Sequence, residues 1–154
     1  MSEPTCPPPA PATPKVDELV KNVNSPIAIA AANAYAKKHY AAYPRMGCAA
    51  CASSFLILSG IDVKFTVNAQ ALADALKARC WQRIECGHQR PGDFGVTADT
   101  PGTMKGTDHV YIVSSLISAD LVNIVDNQGK TQPHKRSLSG QGRTRTVYLL
   151  RGQG

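Results

Sequence analysis

The spacing of apolar residues changes near residue 80, and this change restricts the folds that the chain can adopt. Before that point, three segments carry apolar residues at the three- and four-residue spacing of α-helices: 26–40, about 48–59 and 68–79. After it, apolar and polar residues alternate in short segments that Gly, Pro, Asn or Asp separate: 81–86, 93–97, 109–115, 121–126 and 146–151. Helices followed by strands predict an α+β fold in which N-terminal helices pack on an antiparallel sheet.

Local signals indicate where the helices begin and end. Ser25 precedes Pro26, which is the order of an N-cap and a first helical residue. Asn68 is a second candidate N-cap, and Gly60 suits the position just after the helix that begins near Cys48. Because that helix is nearly uncharged, we expect it to be buried.

The chain of 154 residues is long enough for one domain with its own core. Residues 1–15 hold six of the 11 prolines and predict a flexible, extended arm, which leaves 16–154 as the folded domain. The N-terminus has neither the basic start nor the apolar segment of a secretory signal. We therefore expect synthesis in the cytoplasm and, if the protein acts in the periplasm or cell wall, export by another route or release by lysis.

The formal net charge of +6 favours anionic partners such as nucleic acid, cell-wall polymer or lipid headgroups. No basic run is interleaved with aromatic residues, so a nucleic-acid groove is not predicted. No apolar run approaches the roughly 20 residues that cross a bilayer, so membrane insertion is not predicted either. We expect a monomer.

Five cysteines, at positions 6, 48, 51, 80 and 86, leave at least one thiol free, although Cys80 and Cys86 could oxidise to a pair. A thiolate is the strong nucleophile, and a helix N-terminus together with a neighbouring histidine lowers the pKa of a thiol. Cys48 is predicted at such a helix start, whereas Cys51 lies one turn deeper and should pack in the core. Cys48 is therefore the candidate nucleophile of the two.

His109 is the best placed of the four histidines, because it opens the segment HVYIVSS directly after a Gly-containing loop. The next predicted strand should return antiparallel through a turn near residues 117 and 118. That register brings either Asp126 or Asn127 opposite His109. Either side chain could orient the imidazole, as the third member of a Cys-His-Asn/Asp triad does.

These residues and their order resemble the NlpC-type papain-like cell-wall peptidases and the related CHAP amidases. The resemblance covers about residues 45–140 and rests on Cys48-Ala-Ala, Gly60-Ile61, Leu72, Leu76, Trp81, Ile84, Pro91-Gly92-Asp93, His109-Val-Tyr-Ile-Val and Asp126-Asn127, with Pro133 and Arg136 downstream. The chain departs from the family at the nucleophile, where Gly47-Cys48-Ala49-Ala50 replaces a string such as Asp-Cys-Ser-Gly. Family members often use an aromatic residue before the nucleophile to help bind the reacting carbonyl, and Tyr43 is a loosely spaced counterpart.

The resemblance implies a papain-like fold and a cysteine hydrolase that cleaves amide bonds of peptidoglycan stem peptides. Cys48 would be the nucleophile, His109 the general base and Asp126 or Asn127 the orienting residue, with no cofactor and no metal. An antibacterial effector exported by a contact-dependent secretion system, or a phage lysin, would fit such an activity. An effector would have a cognate immunity protein as a partner.

Three other interpretations remain open at this stage. Cys48, Cys51, Cys80 and Cys86, with His88 nearby, could hold a structural zinc ion, although such ligands usually come from tight turns. A thioredoxin-type CxxC motif would need a preceding strand in a βαβ pattern, which is absent from the sequence. A papain-like scaffold without activity could serve as an interaction protein.

Overall fold

The structure, a computed structural model, describes residue 6 and residues 14–98, 109–127, 131–140 and 144–152. Four helices come first: α1 (Pro14–Val23), α2 (Pro26–His39), α3 (Cys48–Leu58) and α4 (Ala69–Ala78). Six strands follow: β1 (Gln82–Ile84), β2 (Phe94–Thr97), β3 (Val110–Leu116), β4 (Leu121–Val125), β5 (His134–Ser137) and β6 (Thr146–Arg151). No helix in these ranges is long and apolar enough to cross a bilayer.

The sheet is antiparallel throughout and has the strand order β1-β6-β2-β3-β4-β5. The main core lies between the helices and one face of the sheet, and a smaller apolar cluster lies on the other face. The predicted α+β class, with helices that precede an antiparallel sheet, is confirmed. Helix α1 and strand β5 were not predicted.

The predicted helix boundaries follow from their caps. The Ser25 hydroxyl accepts a hydrogen bond from the backbone N–H of Ala28, at 3.3 Å, and Pro26 is the first residue of α2. The Asn68 side chain accepts one from the backbone N–H of Ala71, at 2.9 Å. Gly60 has φ +85° directly after α3, a conformation that glycine adopts without steric cost. Local side-chain and backbone chemistry therefore determines where these helices start and stop.

Helix α3 is the central element of the helical layer. All its residues from Cys48 to Leu56 are buried, which agrees with the expectation from its lack of charge. An α-helix that is apolar on every side needs neighbours on every side. Helices α1, α2 and α4 and strand β3 supply them. The N-terminus of α3 is consequently held at a fixed position beside the sheet.

The cysteines outside α3 pair differently from the expectation. Cys80 forms a disulfide with Cys6 rather than with Cys86, which remains an exposed free thiol. Residues 1–5 and 7–13 of the predicted flexible arm lie outside the described residues. The last two residues of the predicted arm, Pro14 and Lys15, belong to α1.

Candidate functional site

Cys48 is the first residue of α3, as predicted, and Gly47 is the N-cap. Gly47 has no side chain that could cap the helix, so the first backbone N–H groups of α3 keep their partial positive charge for another partner. A methyl group at position 47 would lie 2.7 Å from the ring of Tyr43. Glycine is therefore required where the Tyr43 ring lies against the helix start.

His109 and Asp126 meet at one edge of the sheet. His109 directly precedes β3, and Asp126 directly follows β4. Because Ile112 pairs with Val125 in antiparallel register, the start of β3 and the end of β4 are neighbours. The His109 Nε2 atom lies 3.0 Å from the Asp126 Oδ2 atom, and the Asp126 side chain is only 1% exposed. This hydrogen bond fixes the orientation of the imidazole ring.

The charged states of these side chains support one another. Burial raises the pKa of Cys48, but hydrogen bonds from His109 and from the backbone N–H groups of Val110 and Ala49 outweigh burial, and the net pKa is lowered. Burial lowers the pKa of His109, but the hydrogen bonds to Asp126 and Cys48 raise it to about 9. The arrangement therefore favours a thiolate–imidazolium pair near neutral pH.

Asp126 remains ionised in this site. Burial opposes its negative charge, but the hydrogen bond with His109 and the close contact with His134 hold the pKa of this carboxyl below its usual range. The carboxylate can therefore stabilise the imidazolium form of His109 without taking its proton. Cys48, His109 and Asp126 thus have the geometry and the electrostatics of a nucleophile, a base and an orienting residue.

Asn127, the alternative orienting residue, makes a different contact. Its Nδ2 atom donates a hydrogen bond to the backbone carbonyl of Pro44, at 2.8 Å. Asn127 therefore ties the loop after β4 to the turn that leads into α3. Of the two residues that the sequence left open, the structure brings Asp126 to His109.

Cys51 and Tyr43 lie behind the helix start, in the core. Burial raises the pKa of Cys51 to about 12, which leaves it an inert thiol at neutral pH. Tyr43 is 5% exposed, and its hydroxyl donates a hydrogen bond to Asn33 Oδ1. This contact ties the hydroxyl to α2, and a role of Tyr43 at the reacting carbonyl stays a prediction from the resemblance.

His134 is a part of the site that sequence reasoning missed. It opens β5 rather than lying in a loop, and its Nε2 atom is 3.3 Å from the Asp126 Oδ1 atom. Asp126 thus lies between two histidines. The available signal was the period-two placement of His134, Arg136 and Leu138, which a strand interpretation of that segment would have used.

The zinc interpretation loses its ligands in this structure. Cys80 is oxidised to a disulfide with Cys6, and Cys51 is buried inside α3. Within the described ranges, no group of three or more His, Cys, Asp or Glu side chains is arranged to hold a metal ion. Four-coordinate structural zinc from the two cysteine pairs is therefore incompatible with this fold.

Comparison with known proteins adds a likeness of fold. No family model and no curated protein matches the sequence. Among solved structures, the chain is similar to the crystal structure of Ly7917, with a TM-score of 0.54 and 18% sequence identity. The match covers 88% of this chain and 61% of that chain, so this chain spans less than two thirds of the Ly7917 structure. At this identity, the similarity concerns the fold alone.

Proposed function

We propose that this chain is a cysteine hydrolase that cleaves amide bonds in the stem peptides of peptidoglycan. The observation that carries the proposal is the set of contacts around His109. Its imidazole lies between Asp126, at 3.0 Å, and the Cys48 thiol, whose pKa is lowered by that neighbour. Three residues far apart in the sequence meet in the order that nucleophilic amide hydrolysis requires.

The reaction would proceed through an acyl-enzyme. The Cys48 thiolate attacks the amide carbonyl carbon, and the N–H groups at the start of α3 stabilise the oxyanion, an interaction usually worth about 3–4 kcal/mol. The His109 imidazolium then gives its proton to the leaving amine, which leaves a thioester on Cys48. Neutral His109 takes a proton from water, and the hydroxide attacks the thioester. The tetrahedral intermediate then expels the Cys48 thiolate, which releases the carboxylic acid and restores the ion pair with the His109 imidazolium.

The substrate class is supported by the resemblance to cell-wall peptidases and by the charge of the chain. A net charge of +6 favours association with an anionic wall. The disulfide between Cys6 and Cys80 is typical of proteins that work in oxidising surroundings such as the periplasm. An exported antibacterial effector with an immunity protein, or a phage lysin, would act in that compartment.

The test is digestion of purified sacculi by the full chain, followed by mass spectrometry of the released fragments. We expect new amine and carboxylate ends in the stem peptides, and the fragment masses will identify the bond. Cys48→Ala should abolish release and keep the fold, because alanine is tolerated at a helix start. Cys51→Ala is the matched control, a second cysteine of the same helix, and should retain most of the activity.

Two outcomes would contradict the proposal. If Cys51→Ala abolished digestion and Cys48→Ala did not, the wrong thiol has been assigned. If the wild-type protein released nothing from sacculi, while Cys48 reacted with iodoacetamide like an ordinary thiol, a scaffold without activity would be the better description.

A further inference from the structure

We propose that His134 is a positioning residue that holds the Asp126 carboxylate in the orientation that serves His109. The inference rests on the proposed function, because it assigns a role within the same site. It extends the Cys48–His109–Asp126 set by a fourth side chain, contributed by an additional strand.

The sheet register places His134 beside Asp126. Strand β5 is paired with β4, and His134 is the direct partner of Ile124. Side chains of directly paired residues lie on the same face of a sheet, and Asp126 follows Ile124 by two residues on that face. His109 approaches Asp126 from the opposite neighbour, β3. The carboxylate therefore lies at the end of a central strand with one histidine on each side.

The two oxygens of Asp126 have different partners. Oδ2 is 3.0 Å from His109 Nε2, and Oδ1 is 3.3 Å from His134 Nε2. In the part of the chain that the structure describes, neither Asp126 Oδ1 nor His134 Nε2 makes a well-directed hydrogen bond, and both atoms are buried. The contact between them, at 3.3 Å, is thus the polar contact that the structure shows for each atom. Among the described residues, Asp126 is the carboxylate that lies within ion-pairing distance of His134.

Removal of the His134 ring nitrogen would leave a buried carboxylate oxygen without a polar partner. Such an oxygen carries a desolvation penalty that favours either protonation of the carboxyl or its rotation. Either change weakens the support that Asp126 gives to the imidazolium of His109. The thiolate–imidazolium pair should then be less populated, and its reactivity at pH 6 should fall about threefold to tenfold, as expected for one hydrogen bond.

The experiment measures alkylation of Cys48 by iodoacetamide between pH 5 and 10, by peptide mass spectrometry, on the full chain. His134→Leu removes the polar ring, whereas His134→Gln keeps a nitrogen donor near the position of Nε2. Lys135→Ala, on the exposed side of the same strand, controls for general effects on β5. Thermal unfolding of each variant confirms that the fold is kept.

We expect His134→Leu to slow alkylation of Cys48 at pH 6 by about threefold to tenfold. The part of the pH profile that reports deprotonation of His109 should move to lower pH. His134→Gln should restore most of the rate, and Lys135→Ala should match the wild type. Equal rates in wild type and His134→Leu would overturn the proposal, and so would equal losses in the Leu and Gln variants. If wild-type Cys48 were alkylated fast at pH 6 but sacculi were not digested, the proposed substrate would be overturned. The comparison of alkylation rates between the wild type and the His134 variants would still test the role of His134. Slow wild-type alkylation at pH 6 would overturn both proposals.

Discussion

Asp126→Asn removes one negative charge from the site and keeps the shape of the side chain. The hydrogen bond that it weakens joins a nearly fully buried carboxylate to an imidazole at 3.0 Å. Hydrogen bonds to charged groups contribute about 1.5–3 kcal/mol, and we take about 2 kcal/mol for this one. Since one pKa unit corresponds to about 1.4 kcal/mol, the loss of an interaction of that size should lower the pKa of His109 well below its value of about 9.

The direction of this change follows from linkage. The pKa of His109 is raised in the folded protein, so the imidazolium is favoured below about 9 and lost as the pH rises through that value. The alkaline limb of the pH–activity profile should therefore move to lower pH in Asp126→Asn. The acid limb reports the ionisation of the Cys48 thiol. It should move to higher pH, because the imidazolium that stabilises the thiolate is itself less stable. The pH range in which the thiolate–imidazolium pair is populated therefore becomes narrower at both ends.

The assay for the acid limb is iodoacetamide alkylation of Cys48 across the pH range, since it needs no substrate, and the alkaline limb is measured by digestion of sacculi as a function of pH. A loss of about 2 kcal/mol changes the equilibrium between the ion pair and the neutral pair by about thirtyfold, so the rate at pH 6 should fall by up to that factor. Asn127→Ala is the matched control, because its side chain donates a hydrogen bond to the backbone carbonyl of Pro44. If Asp126→Asn kept the wild-type profile while Asn127→Ala lost the reaction at pH 6, the assignment of Asp126 as the orienting residue would be refuted.

Two further predictions concern how the site is held in place. Gly47→Ala should destabilise the fold by about 1–3 kcal/mol, because the new methyl group would lie 2.7 Å from the Tyr43 ring. The substitution should also slow alkylation of Cys48. Thermal unfolding and the alkylation rate test these two effects, and an unchanged unfolding temperature would contradict the steric argument. Arg151→Met should cost about 3 kcal/mol, because it removes the guanidinium at 2.8 Å from the buried Asp93 carboxylate and leaves that group the backbone N–H of Arg90. The reactivity of folded Cys48 should stay as in the wild type, and a loss of that reactivity in the folded variant would show that the two regions are coupled.

Features with local causes could be predicted from the sequence. The start of α2 follows from Ser25 and Pro26, and the end of α3 follows from Gly60, because each cap depends on residues within one turn of the helix. Helix α1 was missed because its first residue, Pro14, belongs to a proline-rich segment that is typical of an extended arm. Its buried residues Leu19 and Val23 show the helical spacing nonetheless.

Strand β5 was missed because its sequence, HKRS, contains no apolar residue. An edge strand is held by backbone hydrogen bonds to one neighbour, and the side-chain signal that remains is the period-two placement of His134, Arg136 and Leu138. The register of the preceding hairpin was also not fully predictable. The pairs Leu116–Val122 and Ser115–Asn123 centre the hairpin on residue 119 rather than on residue 117 or 118, so that Asp126 reaches His109 diagonally rather than from directly opposite. Long side chains tolerate such a shift, and for that reason the predicted pair survives the error in register.

The two cysteines of α3 show why a helix start alone does not make a nucleophile. Cys48 and Cys51 lie one turn apart, and burial raises the pKa of both thiols. Only at Cys48 do a histidine and two backbone N–H groups outweigh burial, and one of those N–H groups belongs to Val110 of the sheet. The difference between a reactive and an inert thiol therefore arises where α3 packs against the start of β3. Neither the helix nor the strand lowers the pKa alone, so the sequence could place Cys48 at a helix start but could not predict the contact with the sheet that makes its thiol reactive.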